Sequence, residues 1–300
     1  MIKSSVFLLT LCLLNTISTA VPLTNDQEKI VGGKQVVNSA AYPWEVSLGD
    51  MVGVPADKKD RMAKDEKTKK EAHFCGGVLI HKEWVLTAAH CVVDEKTKAS
   101  PLPAATIGAG FGTDLVEMYD TGRTVASKVI IKANYDSVEP TSKEDIALIK
   151  LSQPVATPHL GCLAGTDSAP SEMTVIGWGN VNPLIYDSAK NEWSGVEAPR
   201  VLKEAAVKDI TSTASYCQER PDLICIEGVK KGDSSCKGDS GGSLVSSNNV
   251  VIGLTSFGPT TDVPGKNHFY QTCNGEAAYT RLAANIAWIE QNIGAKVCVK

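Results

Sequence analysis

From residue 30 onward the hydrophobic positions fall in many short runs rich in Val, Ile, Leu and Thr, among them 74–79, 84–87, 146–151 and 250–255, closely punctuated by turn residues. Short apolar runs bounded by turns predict β-strands in an all-β sandwich or barrel, not strands alternating with helices. A different period holds near the C-terminus, where Leu282, Ile286, Ile289 and Ile293 recur at three- and four-residue intervals with Glu290 and Gln291 between them. That spacing predicts a helix over 282–293 with one face packed on the body. Two stretches interrupt the strand pattern. Residues 57–71 carry Lys58, Asp60, Arg61, Lys64, Asp65, Glu66 and further charges of both signs with almost no apolar residue, and read as a solvated surface loop. Residues 259–272 read as a second insertion.

Ahead of residue 30 the pattern changes again. Lys3, an apolar run over 6–14 and the small-residue ending Ser18-Thr19-Ala20 have the layout of a secretory signal peptide over 1–20. The run is too short to span a bilayer comfortably and no second apolar stretch follows it, so a secreted, extracellular product without membrane attachment is expected. Residues 21–29 are short and polar and end at Lys29, directly before Ile30-Val31-Gly32-Gly33, where the basic residue offers a cleavage point.

Composition adds exclusions. At 300 residues, 43% hydrophobic and 21% charged, the chain suits a globular protein with one large or two small cores. Its net charge of −4 gives no basic surface of the kind nucleic acid demands. Of the nine cysteines, Cys12 lies in the leader, leaving Cys75, Cys91, Cys162, Cys217, Cys225, Cys236, Cys273 and Cys298. An even number in an exported chain suits disulfides, and without a CxxC pair a zinc site is disfavoured, so no metal or cofactor is implied. No Asn-x-Ser/Thr sequon occurs, so N-glycosylation is not expected.

Three local patterns carry chemistry: Thr87-Ala88-Ala89-His90-Cys91, then Asp145 before Ile146-Ala147-Leu148, then Gly238-Asp239-Ser240-Gly241-Gly242. A serine hydroxyl is a weak nucleophile and needs a base within hydrogen-bond reach. Neutral histidine can take that proton and return it to a leaving amine, while a buried carboxylate fixes the histidine tautomer. Glycines around Ser240 permit a tight turn in which the amides of Gly238 and Ser240 converge on one oxyanion. Alone, a serine between glycines is usually only a turn, and a histidine beside a cysteine usually a packed core residue. In the order His, Asp, Ser, and after a basic residue followed by Ile30-Val31-Gly32-Gly33, the set resembles the chymotrypsin-like serine protease family over residues 30 to about 293.

The resemblance implies two packed six-stranded antiparallel Greek-key barrels, about 30–153 and 154–279, with a C-terminal helix and tail over 280–300 and the active site between the barrels. It implies cleavage after Lys29 by a trypsin-like protease, with the new Ile30 ammonium pairing with Asp239 to order the oxyanion hole. An unpaired buried carboxylate is costly, so the uncut chain should be poorly organised there. Implied disulfides join Cys75 to Cys91, Cys236 to Cys273, Cys217 to Cys225 and, by what remains, Cys162 to Cys298. A further bridge of many members is absent, with Met173 and Ser246 at its two positions, and Ala109 stands where the family's calcium loop has a carboxylate.

For the primary specificity pocket, Ser234 matches the floor, where trypsin-like members carry aspartate, and Gly258 and Ala277 match the walls, which places the chain closest to chymotrypsin- and elastase-type members. Phe, Tyr, Leu or Met before the cut bond is therefore expected, with Ser256-Phe257-Gly258 pairing with the substrate backbone. Asp233 offers a trypsin-like alternative if its carboxylate enters the pocket. Protein or peptide substrates, protein protease inhibitors and a monomeric state belong to the same expectation. His73, His81, His159 and His268 read as structural or exposed. A catalytically silent homologue acting as a binding protein would typically have lost a triad residue, and a lipase would run Ser, Asp, His along the chain.

Overall fold

The strand-rich pattern closes into two barrels in the computed structural model, which describes residues 32–38, 40–94, 97, 100–136, 143–156, 158–167, 170–181, 185–187, 192–194, 197–262, 269–271, 273 and 275–300. Residues 1–31, which include Lys29 and Ile30, and His268 lie outside the described residues. The short β1 (Lys34–Gln35) lies on a strand of the second barrel. The first barrel comprises β2 (Glu45–Asp50), β3 (His73–His81), β4 (Trp84–Thr87), β5 (Ile107–Phe111), β6 (Thr124–Ile131) and β7 (Ala147–Leu151), closed in the order β2-β3-β4-β7-β6-β5. The chain then forms β8 (Met173–Gly177), the hairpin of β9 (Ile185–Asp187) and β10 (Glu192–Ser194), β11 (Lys203–Asp209), β12 (Leu223–Gly228), β13 (Ser243–Ser246) and β14 (Val251–Phe257). A second hairpin, β15 (Thr260–Asp262) with β16 (Phe269–Gln271), precedes β17 (Glu276–Arg281). The order β11-β12-β17-β14-β13-β8, with β8 also pairing β11, closes the second six-stranded barrel.

Closure of so few strands demands strong local bending, and register shifts supply it at Leu48/Gly49 and Leu79/His81 in the first barrel and at Leu244/Val245 and Thr255/Phe257 in the second. Val46, Leu48, Val78, Leu86 and Leu148 fill one interior, and Val207, Ile226, Leu244 and Tyr279 the other, all fully buried. Each such side chain contributes about 1.5–3 kcal/mol relative to exposure. The loops between the barrels are thus hung on two rigid frames. At the seam, a Cβ on Gly76 would sit 2.7 Å from Gly242 Cα, so only glycine lets β3 approach the backbone beside Ser240 this closely.

The C-terminal helix forms as a 3₁₀ turn at Ala283–Asn285 running into α4 (Ile286–Ile293), with Ile289 fully buried and Gly294 at φ 70° ending it. Four disulfides join Cys75–Cys91, Cys162–Cys298, Cys217–Cys225 and Cys236–Cys273. Met173 and Ser246 stand opposite each other in the β8–β13 register. Among the described residues no helix is long and apolar enough to cross a membrane.

The charged segment read as a solvated loop is instead a pair of short helices, α1 (Lys58–Met62) and α2 (Glu66–Glu71), and a further helix, α3 (Leu115–Thr121), lies beside them. Without an apolar stripe these helices rest on other supports. Asp57 and Asp65 cap their N-termini, accepting from Lys59 and Asp60 amides and from the Thr68 amide. The nearly buried Lys69 ammonium pairs with Asp120 of α3 at 2.9 Å, pinning α2 to α3.

Candidate active site

The antiparallel pairing of β4 with β7 sets Thr87 opposite Ala147, so the segment leaving β4 and the segment entering β7 emerge at the same end of the first barrel. His90 follows β4 in a 3₁₀ turn, Ala89–Cys91, tied to β3 by the Cys75–Cys91 bridge, and Asp145 lies just ahead of β7. His90 Nδ1 donates to Asp145 Oδ2 at 2.8 Å, and the His90 amide donates to Oδ1 at 2.9 Å. The second barrel supports the same carboxylate: the Ser256 hydroxyl of β14 donates to Oδ2, and Thr280 Oγ1 donates to the Asp145 carbonyl at 3.0 Å. Burial alone would push the Asp145 carboxyl up, but His90 and these hydrogen bonds hold it below the usual carboxylate range. An ionised Asp145 on Nδ1 leaves Nε2 as the ring's basic position.

Ser240 approaches from the second barrel, in the turn before β13. The Gly76 amide donates to the Ser240 carbonyl at 2.7 Å and the Gly241 amide to the Thr255 carbonyl at 2.8 Å, so both barrels clamp the turn. Gly238 has φ 101°, a conformation that side chains rarely adopt. His90, Gly238, Ser240 and Ser256 line one cleft of about 750 Å³, together with Phe74, Cys75 and Lys237. Cys75, Cys91 and His90 cluster closely, but both sulfurs are committed to the bridge and cannot ligate a metal as thiolates.

Asp239 turns away from the cleft. Its oxygens accept from the amides of Gly179 at 2.7 Å and Cys236 at 2.8 Å, no cation among the described residues pairs with it, and burial pushes its carboxyl up to about 7. Sequence reasoning missed a second buried carboxylate, Glu45 of β2, which is hydrogen bonded to the Ser243 amide and hydroxyl and pushed up to about 8 by burial. His73, read from the sequence as structural or exposed, is structural. This residue is buried, with Nδ1 2.8 Å from Ser47 Oγ and Nε2 3.0 Å from the Gly238 carbonyl. A carbonyl only accepts, so Nε2 carries the proton and Nδ1 accepts from the Ser47 hydroxyl. Burial, reinforced by the nearby Arg123, pulls His73 down to about 3, so it stays neutral while holding Gly238. The only available sequence signal was its place two residues before Cys75.

Of the expected pocket residues, Ser234, Phe257, Gly258 and Ala277 are buried and do not line the cleft, unlike Ser256. Ser234 Oγ donates to the Glu276 carbonyl at 3.4 Å, which sets it beside Ala277. Tyr279 donates to Ser235 Oγ at 2.9 Å. The Asp233 carboxylate lies against the backbone of Gly32, where a Cβ would be 1.8 Å from Oδ1, and lines a separate surface cavity with Gly33, Lys34 and Lys230.

Comparisons with known proteins agree with this arrangement. The Trypsin family model matches residues 30–280. The chain is 28% identical to a trypsin of Sus scrofa over 287 residues, covering 91% of this chain and 99% of that protein. It is likewise 28% identical to cationic trypsin-3 of Rattus norvegicus, covering 93% and 95% of the two chains, and to trypsin II-P29 of Gallus gallus, covering 93% and 94%. Two closed barrels, a buried Asp145 bonded to His90 beside a serine turn at their seam, and a family match over most of its length make this chain a member of the trypsin family of serine endopeptidases.

Proposed function

We propose that the chain is a secreted zymogen which, after cleavage behind Lys29, hydrolyses peptide bonds following Phe, Tyr, Leu or Met. Residues 1–20 are the leader, 21–29 the propeptide and 30–300 the protease, whose halves are 30–153 and 154–279 with the helix and tail over 280–300. The observation that carries the reading is the His90–Asp145 hydrogen bond at 2.8 Å in the cleft that Ser240 lines. His90 Nε2 takes the Ser240 proton as Oγ attacks the carbonyl carbon, and Asp145 stays ionised beside the imidazolium. The Gly238 and Ser240 amides receive the oxyanion, and such donors contribute about 3 kcal/mol each. His90 then hands the proton to the leaving amine, and water attacks the acyl-enzyme by the reverse sequence.

Activation follows from Asp239. Its buried carboxylate is matched to the ammonium that cleavage would create at Ile30, supplied by a trypsin-like activating protease. Uncharged Ser234 at the pocket floor supports apolar specificity, and Asp233 lying against Gly32 supports it from the other side. Protein substrates, protein inhibitors and a monomeric state complete the reading. The trypsin names of the relatives favour a second reading, cleavage after Lys or Arg. The two part on peptide anilides ending in Phe, Leu or Arg, offered to protein cut after Lys29. Turnover of Phe and Leu substrates, absent in Ser240→Ala, supports the first. Dominant Arg turnover overturns it in favour of the second.

A further inference from the structure

A second cavity, of about 440 Å³, adjoins the catalytic cleft and shares Glu71, Phe74, Lys237 and Gly238 with it. Its lining contains no residue of β14, the strand proposed to pair with the acyl side of the substrate, and it lies beyond Gly238 from Ser256. A substrate whose acyl portion lies along Ser256 and Gly258 and whose carbonyl points at Gly238 must continue past Phe74 into this cavity. Its far wall is α2, which brings Lys67 and Lys70 to the cavity, while Lys237 stands at its mouth.

Among the described residues, the lining brings Lys67, Lys70 and Lys237 together with Glu71 and Glu197. The helix pairs that compete for the lysines are long, Lys67–Glu71 at 3.6 Å and Lys70–Glu66 at 3.8 Å, and both acids are more than half exposed. Pairs of this kind contribute only a few tenths of a kcal/mol, so a substrate carboxylate can displace them. The helix itself is fixed, because Lys69 is held to Asp120. Phe74 and Ala198 supply an apolar wall around the charges.

We infer that α2 is a specificity element for the leaving-group side: the cavity accepts an acidic side chain two or three residues after the cut bond. The inference rests on the proposed endopeptidase reading. The test uses internally quenched peptides with Phe before the cut bond and Asp, Asn or Lys at the second and third positions after it. They are offered to cleaved wild type, Lys67→Ala/Lys70→Ala and Lys67→Glu/Lys70→Glu, each quantified by active-site titration. For wild type, kcat/KM is expected to favour Asp over Lys by roughly fivefold, fading at high salt. The alanine variant should bring the ratio near one, and the glutamate variant should invert it. An acidic preference that survives in both variants, or no preference in wild type, overturns the role of α2. A Phe anilide has no leaving-side residues, so if it too resists hydrolysis, the failure lies in the endopeptidase reading and not in the cavity.

Discussion

At the scale of single residues, chemistry and support divide between the two barrels. Asp145 belongs to the first, yet Ser256 and Thr280 of the second hold it, so the acid that orients His90 is fixed across the seam. Asp145→Asn should keep the fold and lower kcat by about 10⁴-fold, because the amide no longer enforces the required His90 tautomer; steady-state kinetics on a Phe anilide checks this. His73 acts at one remove through the Gly238 carbonyl. His73→Ala should lower kcat roughly tenfold with KM little changed, less than the ~10²-fold that loss of an oxyanion donor costs. A loss confined to KM would contradict that positioning role. His90, Asp145 and Ser240 stood out in the sequence because each carries a distinctive neighbourhood, and the fold bonds the first two and lines one cleft with His90 and Ser240. His73 and Glu45 did not, because nothing local marks a polar residue as buried, and their partners Ser47, Gly238 and Ser243 are brought to them by the fold.

At the scale of elements, strands and the C-terminal helix followed from hydrophobic period, since β4 forms at 84–87 and Ile289 is fully buried in α4. The helices of 57–71 did not, because caps and one ion pair stabilise them where an apolar face normally would. Removing one partner of that pair therefore matters more than removing both. Asp120→Ala should cost about 2 kcal/mol by leaving the Lys69 ammonium uncompensated, whereas Lys69→Met/Asp120→Ala should recover most of that loss; urea unfolding measures both. Equal losses in the two variants would show that the pair does not anchor α2.

The whole molecule carries two buried carboxylates at the seam with raised affinity for protons, Asp239 near 7 and Glu45 near 8. Unfolded, both release protons near pH 4, while the fold retains them until about 7 and about 8, so their contribution to stability falls as pH rises across that interval and levels off above it. His73 acts oppositely. Held near 3 against about 6.5 unfolded, it withdraws stability as pH falls below about 6.5. Between pH 7 and 8 the carboxylates outweigh what remains of the His73 titration, and the Tm of the uncut chain should fall with rising pH. In a Ser240→Ala background, cleavage after Lys29 should flatten the profile, because an Ile30 ammonium would favour the ionised Asp239. Glu45→Gln should remove the remaining slope. A profile that cleavage leaves unchanged would contradict the pairing of Ile30 with Asp239.

Covalent labelling decides whether Ser240 is a nucleophile activated by His90 and Asp145. Protein cut after Lys29 is treated with a phosphonofluoridate, and its peptides are mapped by mass spectrometry. One adduct per chain is expected, on Ser240, lost in His90→Ala and much slower in the uncut chain. Peptide hydrolysis that persists with Ser240 unlabelled, or an adduct on another residue, would contradict that role.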